Sequence, residues 1–195
     1  MMRTRLLAIF APILVLLTAC GINSVPAAQE QAKARWADVQ NDYQRRADLI
    51  PNLVETVRAA SAQERNVLRE VTEARANASR IQVTGEQLTD PQAMARFAEA
   101  QSRLTISLQR LQEAYPELRS NQNYQTLMVQ LEGSENRVAR SRERYNQAVQ
   151  EYNTLIRTFP SSIGARVIHG AEAIVPYQAD EEAQRAPRVN FGNGS

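Results

Sequence analysis

The chain has 195 residues, of which 43% are hydrophobic and 23% charged, the composition of an ordinary globular domain rather than of a disordered or collagen-like chain. Only two of its seven glycines, Gly85 and Gly133, lie between Ile22 and Ile163, which are too few turn residues for an all-β fold. One histidine and one cysteine exclude a metal site built from several such ligands, so we expect no metal and no cofactor.

The formal net charge of +2 overstates the basicity of the body of the chain. Residues 1–19 contain two arginines and no acid, and without them the 21 remaining basic residues equal the 21 acidic ones. Because this balance provides no overall electrostatic attraction toward nucleic acid or an anionic membrane, we expect no nucleic-acid partner.

The N-terminal residues have the pattern of a secretory signal. Arg3 and Arg5 precede an apolar stretch from Leu6 to Leu17, which is shorter than the about 20 residues that a membrane-spanning helix needs. A basic start, a short apolar stretch and small residues at its end are typical of a cleaved signal. The sequence therefore predicts a signal peptide over residues 1–19.

The end of this signal, Leu17-Thr18-Ala19-Cys20, resembles the lipobox of bacterial lipoproteins. The resemblance implies that the Cys20 thiol is linked to diacylglycerol and that residues 20–29 form a lipidated tether. Acyl chains such as palmitate would then hold the chain on a membrane of the cell envelope, with its body facing the periplasm. Gly21, rather than aspartate, follows the cysteine, which favours the outer membrane over the plasma membrane if the cell is Gram-negative.

From Ala32 onward, apolar residues fall in two columns seven residues apart, which is the pattern of a heptad seam on a long helix. The columns are Trp36, Tyr43, Ile50, Val57, Glu64, Val71, Ala78 and Ala32, Val39, Arg46, Leu53, Ala60, Val67, Ala74, Ile81. Pro51 leaves two interpretations open. Either one kinked helix continues to about residue 82, or Asp48 caps a new helix that has Pro51 in its first turn.

Two later helices have clear boundary signals. Asp90-Pro91 predicts the start of a helix to about Ala114, with an inner face of Met94, Phe97, Gln101, Leu104, Leu108, Leu111 and Tyr115. After Pro116, Ser120 or Asn121 can cap a helix to about Thr158, with an inner column of Tyr124, Leu131, Val138, Tyr145, Tyr152 and Phe159. Gly133 within this helix indicates a close approach to a neighbouring helix.

Short connections make neighbouring helices antiparallel. Folding residues 30–47 back against 50–82 gives four helices, whose lengths match better than those of three. The sequence thus predicts an all-α fold over residues 30–178, an up-and-down antiparallel bundle of four long helices with a short C-terminal helix after Pro160. Residues 179–195 are expected to form a flexible tail.

Polar residues that interrupt the apolar columns are the candidates for chemistry. They are Arg46, Glu64, Ser134, Glu135, Ser141 and Arg142. They indicate either a partly hydrated bundle centre that fixes the register of the helices or a polar pocket or partner contact. His169 is expected at a helix end, and Tyr145 and Tyr152 as stacked core aromatics, because no nucleophile or metal spacing accompanies them.

Several blocks of the sequence resemble the LemA family of bacterial envelope proteins. The blocks are Arg45 to Val57, Tyr115 to Asn121, Leu131 to Ala139, Arg142, Tyr145-Asn146, Tyr152-Asn153 and Phe159-Pro160. The resemblance spans about residues 36–177 and implies a membrane-attached four-helix bundle without enzymatic activity. It also implies a structural or contact role for the signature polar residues Arg45, Arg46, Asp48, Asn52 and Asn121. The lipobox is a departure, since family members usually begin with an uncleaved membrane helix.

We therefore expect a membrane-anchored, non-catalytic lipoprotein that acts as an interaction or scaffolding module of the cell envelope. Its expected partners are the membrane, through the acyl chains on Cys20, and an unidentified envelope protein; pairing into a homo-oligomer stays open. The alternative is an envelope enzyme, or a binder of small ligands or cell-wall fragments, with a polar pocket where Glu64, Glu135, Arg142 or His169 converge.

Overall fold

The computed structural model describes residues 23–60 and 65–178. These residues form five α-helices and two 3₁₀ helices, and this part of the chain contains no strand. In chain order they are α1 (Ser24–Ala60), α2 (Arg65–Arg80), a 3₁₀ helix (Gly85–Thr89), α3 (Pro91–Ala114), a 3₁₀ helix (Pro116–Ser120), α4 (Gln122–Leu155) and α5 (Ser161–Val167). The predicted all-α fold is confirmed. The predicted signal peptide, Cys20, Glu64 and the predicted tail lie outside the described residues.

The four long helices alternate in direction. Trp36 of α1 packs on Tyr145 of α4 with ring centroids 5.1 Å apart, whereas Arg46, farther along α1, contacts Glu135, nearer the start of α4. In the same way, Gln101 of α3 lies beside Ala78 of α2, and Arg110 beside Glu70. The up-and-down antiparallel bundle of four long helices is therefore as predicted.

The first helix differs from both interpretations of the sequence, and the predicted division into helices over 30–47 and 50–82 is wrong. α1 runs through Pro51 and ends at Ala60, and α2 begins at Arg65. Asp48 is not a helix cap; its Oδ1 accepts a hydrogen bond of 2.7 Å from Gln44 on the same helix. The heptad pattern wrongly indicated one continuous seam, because α1 and α2 face the same core. Val57 and Val71 on either side of the connection still stand a whole number of heptads apart.

Other boundaries follow from local chemistry. α1 begins at Ser24, so residues 24–29 of the predicted 20–29 tether are helical, and Val25 is buried in the core. Asp90 caps α3 as predicted, since its Oδ1 accepts a hydrogen bond of 2.8 Å from the Gln92 amide. Asn121, rather than Ser120, caps α4 by accepting from the Tyr124 amide at 3.1 Å, which satisfies a free amide of the first turn.

Two expectations for the last long helix were wrong. α4 ends at Leu155, so Phe159 lies beyond it and is 81% exposed instead of facing inward. A Cβ on Gly133 would meet only the Arg137 guanidinium, at 3.8 Å, so Gly133 marks no close approach. The small buried residues are instead Ser134 and Ser141, whose hydroxyls donate to carbonyls of their own helix.

The core consists of two clusters. The aromatic cluster lies around the first half of α1 and includes Trp36, Tyr43, Phe97, Tyr145 and Tyr177. The aliphatic cluster lies around the second half of α1 and includes Ile50, Leu53, Val71, Leu104 and Leu111. Between them lie the buried polar side chains of Arg46 and Gln101.

The chain after α5 does not continue as a helix. Residues 171–178, which we call the strap, contain no helix or strand and run back over α4, where Ile174 and Tyr177 are buried in the aromatic cluster. The short C-terminal helix is therefore only α5. The apolar residues that follow it enter the core without helical backbone bonds.

Candidate functional site

Arg46 is a buried charge that the bundle fully surrounds. It follows Tyr43 by three residues and precedes Ile50 by four on the inner face of α1, and only 1% of its surface is exposed. Its Nη2 donates to Oε1 of Gln101 at 2.8 Å, and its Nη1 donates to Oγ1 of Thr105 at 3.1 Å and to Oε1 of Glu135. Because the guanidinium is paired and hydrogen-bonded, its burial is tolerated.

The contacts of Arg46 form a polar layer, which we define as Arg46, Gln101, Thr105 and Glu135. The layer involves all four long helices, since the Gln101 amide also donates to the carbonyl of Ala78 on α2 at 3.3 Å. The guanidinium carbon lies 5.0 Å from the centroid of the Tyr43 ring, a favourable cation–π distance. Since only one relative position of the helices makes these bonds together, the polar layer fixes their register.

Pro51 leaves one carbonyl of α1 without its helical partner, and a side chain of α2 donates a hydrogen bond to that carbonyl. Proline has no amide hydrogen, so the carbonyl of Ala47, four residues earlier, loses its helical partner. Nε of Arg75 donates to this carbonyl at 2.7 Å. Pro51 belongs to the block Arg45 to Val57, which we call the signature block, and the carbonyl that it frees helps hold α2 against α1.

Two asparagines one heptad apart on α4 hold the strap. The Asn153 side chain donates to the Ile174 carbonyl at 2.8 Å and accepts from the Ile174 amide at 2.9 Å. Asn146 makes the same pair of bonds with Tyr177, at 3.0 and 2.8 Å. Each asparagine side chain thus makes the pair of hydrogen bonds that a neighbouring strand would make with one residue of the extended strap.

The tyrosines of the aromatic cluster have structural roles. The hydroxyl of Tyr145 donates to the Val175 carbonyl at 2.8 Å, and that of Tyr152 to the Glu172 carbonyl at 3.1 Å. The hydroxyls of Tyr43 and Tyr177 lie 2.7 Å apart. Burial raises the pKa of Tyr43 and of Tyr145 far above the ordinary value of 10.0. Both phenols therefore stay protonated near neutral pH and provide no general base there.

The signature polar residues divide between two environments. Arg46 is in the polar layer, and Asn121 caps α4. Arg45, Asp48 and Asn52 are exposed instead. They are spaced by three and four residues, so they share one face of α1. We call Arg45, Asp48 and Asn52 the α1 face.

The candidates for a catalytic cluster are not brought together. Glu135 contacts Arg46, whereas Arg142, two turns farther along α4, lies 5.1 Å from the centroid of the Tyr177 ring. His169 is exposed after α5, and Glu64 lies outside the described residues. No group of acids, histidine and cysteine that could hold a metal occurs within residues 23–60 and 65–178. None of the helices over the same residues is both long enough and apolar enough to cross a bilayer.

A cleft of about 240 Å³ lies between α1, α2 and α3. Amide side chains dominate its polar lining: Gln40, Asn41, Gln44, Gln82 and Gln101. Tyr43 and Phe97 contribute aromatic surface, and the buried hydroxyl of Ser79 has no hydrogen-bond partner among the described residues. Among the residues that the structure describes, no acidic or basic side chain lines this cleft, so it suits an uncharged polar ligand.

The roles of four residues, Gln101, Arg75, Asn146 and Asn153, were missed in the sequence. Gln101 was placed on the inner face of its helix, and an amide in an apolar column should have indicated a partner for the off-pattern Arg46. Pro51 indicated the free carbonyl of Ala47, but nothing in the sequence pointed to Arg75 as its donor. The strap contacts of Asn146 and Asn153 depend on an extended segment that no periodicity marks.

Comparison with known proteins agrees with this architecture. The family model described as LemA family matches residues 35–191, which include the polar layer, the α1 face and the strap. A search of curated proteins finds no match. Because the family model covers most of the chain, the protein belongs to the LemA family.

Proposed function

We propose that this LemA family protein is a lipid-anchored, non-catalytic interaction module of the cell envelope, and that its α1 face binds a partner protein. One observation carries the proposal. Arg45, Asp48 and Asn52 belong to the same signature block as Arg46, yet they are exposed and share one face, whereas Arg46 is buried. Signature residues that are exposed and contribute little to packing are the ones expected in a contact.

The buried and half-buried polar groups support a non-catalytic role. Arg46, Arg75, Asn146 and Asn153 each bond to a group of the bundle itself. Apart from Nε of Arg46, which has no partner among the described residues, the bonds of these side chains hold helices and the strap in place. A catalytic site would instead gather titratable groups around an open cavity.

The anchor is tested by acyl-chain labelling. Cells that grow with a labelled fatty acid should incorporate label into the wild-type protein and not into the Cys20→Ala variant, which should also lose its membrane association. Retention of the Cys20→Ala protein on membranes without label would show that something other than the acyl chains holds it.

The partner contact is tested by photo-crosslinking in cells. A photoreactive amino acid at position 48 should yield a discrete crosslinked product. The same amino acid at Glu143, which is exposed on α4, is the matched control and should not yield that product. Identical products from both positions would reject a specific contact at the α1 face.

The cleft favours a second candidate function, the binding of an uncharged polar ligand such as a cell-wall fragment. Its five amide side chains and the unpartnered Ser79 hydroxyl are groups that bind hydroxyl and amide groups of a ligand. A purified cell-wall disaccharide added to the protein should shift the side-chain amide NMR signals of Gln40, Gln44 and Gln82. Unchanged signals at millimolar disaccharide would remove this candidate.

A further inference from the structure

Exposed apolar side chains are concentrated at one end of the bundle. Of the six large hydrophobic side chains that are exposed in the described residues, four lie within residues 159–168. They are Phe159, Ile163, Val167 and Ile168, with exposures of 81, 58, 79 and 59%. The other two, Ile106 and Val129, lie on α3 and α4. Single exposed apolar residues are ordinary, but a cluster indicates a contact surface.

The cluster arises because α5 has its large apolar side chains on the outside. Gly164 and Ala165 are buried against the bundle, whereas Ile163 and Val167, one turn apart, are exposed. A helix whose only role is to close the bundle would have the opposite arrangement, with its large apolar side chains packed inward. We call Phe159, Ile163, Val167 and Ile168 the α5 face.

The α5 face lies at the end of the bundle where α1 begins. Ala165 of α5 and Val25 in the first turn of α1 are buried in the same aromatic cluster, and α5 packs against α1. Cys20 precedes Ser24 by four residues, a distance that the chain can span over at most about 14 Å. A lipid on Cys20 would therefore enter the membrane close to the α5 face.

The charge around the α5 face fits a lipid surface. Arg157 and Arg166 are exposed beside it, and residues 157–171 contain no acid. The chain after residue 19 as a whole is balanced, with 21 basic and 21 acidic residues, so this stretch has a local excess of positive charge. Exposed arginines next to apolar side chains are typical of surfaces that sit in the headgroup region of an anionic bilayer.

We propose that the α5 face inserts into the bilayer interface beside the lipid anchor, so that this end of the bundle rests on the membrane in a fixed orientation. The inference rests on the proposed anchor at Cys20. Acyl chains alone would leave the bundle free to tilt about its tether. A second contact at α5 holds the long axis upright and keeps the α1 face accessible.

The experiment measures the depth of one residue in vesicles. The lipidated full-length protein is reconstituted into vesicles of phosphatidylethanolamine and phosphatidylglycerol, with an environment-sensitive fluorophore on Val167→Cys. Because Cys20 is the only native cysteine and its thiol is blocked by the lipid, the label is specific. Val129→Cys, an exposed apolar position on α4, is the matched control.

We expect aqueous iodide to quench the label at position 167 about fivefold less than the label at position 129, and a lipid-soluble quencher to show the reverse order. Equal iodide quenching at both positions in vesicle-bound protein overturns the inference. Protection from iodide without quenching from the lipid side also overturns it, because a second copy of the chain would then cover the face. Protein that lacks acyl chains by mass spectrometry and does not float with the vesicles would instead refute the anchor.

Discussion

The two halves of the bundle are stabilised by different kinds of interaction. In the aromatic half, around Trp36 and Tyr145, side chains of α4 hydrogen-bond to the backbone of the extended strap. In the aliphatic half, around Ile50 and Leu104, the cluster consists mainly of branched apolar side chains. Packing of that kind accepts many apolar combinations, whereas a strap whose Ile174 and Tyr177 backbone groups bond to asparagine side chains requires particular donors and acceptors.

The polar layer lies where the two halves meet, and its loss should have the largest effect. Arg46→Met keeps most of the side-chain volume but leaves Gln101 and Glu135 without their donor. We expect the free energy of unfolding to fall by about 3 kcal/mol, measured by urea denaturation. Arg45→Met, its exposed neighbour, is the matched control and should change the stability by less than about 0.5 kcal/mol. Equal effects of the two substitutions would contradict the role assigned to the layer.

The bond from Arg75 to Ala47 tests how the aliphatic half tolerates a proline. Arg75→Ala should reduce the free energy of unfolding by about 2 kcal/mol, because it leaves a part-buried carbonyl without a charged donor. In a Pro51→Ala background, the amide of residue 51 can bond to Ala47, so the same substitution should cost much less. The double-mutant cycle measures this difference. A cost for Arg75→Ala that is independent of residue 51 would show that Arg75 acts in another way.

A substitution that weakens the strap tests whether the aromatic half can open by itself. Asn153→Ala removes both bonds to Ile174, and we expect local opening of the strap to become easier by about 1–2 kcal/mol. Hydrogen exchange should show faster exchange at the Ile174 and Val175 amides and unchanged exchange at Leu104 in the aliphatic half. Asn136→Ala, at an exposed position of α4, is the control and should leave the strap protected. Equal acceleration in both halves would mean that the two halves open as one unit.

The smallest expected effect is an increase in stability. Gly133 is within α4 and has room for a Cβ, which would meet only Arg137 at 3.8 Å. Gly133→Ala should therefore raise the free energy of unfolding by about 0.5–1 kcal/mol, since alanine favours helix over glycine. A loss of stability in the same urea experiment would restore the original interpretation of Gly133 as a close-packing position.

Much of the fold could be predicted from the sequence because apolar periodicity and caps are local signals. Asp90 and Asn121 begin α3 and α4 through bonds to amides two or three residues away. The end of α1 at Ala60 and the start of α2 at Arg65 could not be predicted in the same way, because the heptad phase is the same in both helices. The strap could not be recognised either, since its partners Asn146 and Asn153 lie about 20 to 30 residues away along the chain.

The candidate site was predicted only in part, because local signals mark unusual residues but not their burial. Arg46 stood out as a charge in an apolar column, and the resemblance to the family marked Arg45, Asp48 and Asn52. Which of these residues are buried depends on the rotation of α1 against α3 and α4. That rotation is set by tertiary contacts such as the bond from Arg46 to Gln101, and those contacts cannot be read from spacing alone.

The central claim is that the signature block contains two kinds of residue: those that hold the bundle together and those that are exposed on its surface. The most direct test is urea unfolding of the triple variant Arg45→Ala, Asp48→Ala, Asn52→Ala. The account predicts a free energy of unfolding within about 1 kcal/mol of the wild-type value, because all three side chains are exposed. A loss of about 3 kcal/mol, as large as that expected for Arg46→Met, would contradict it, since the α1 face would then be part of the scaffold.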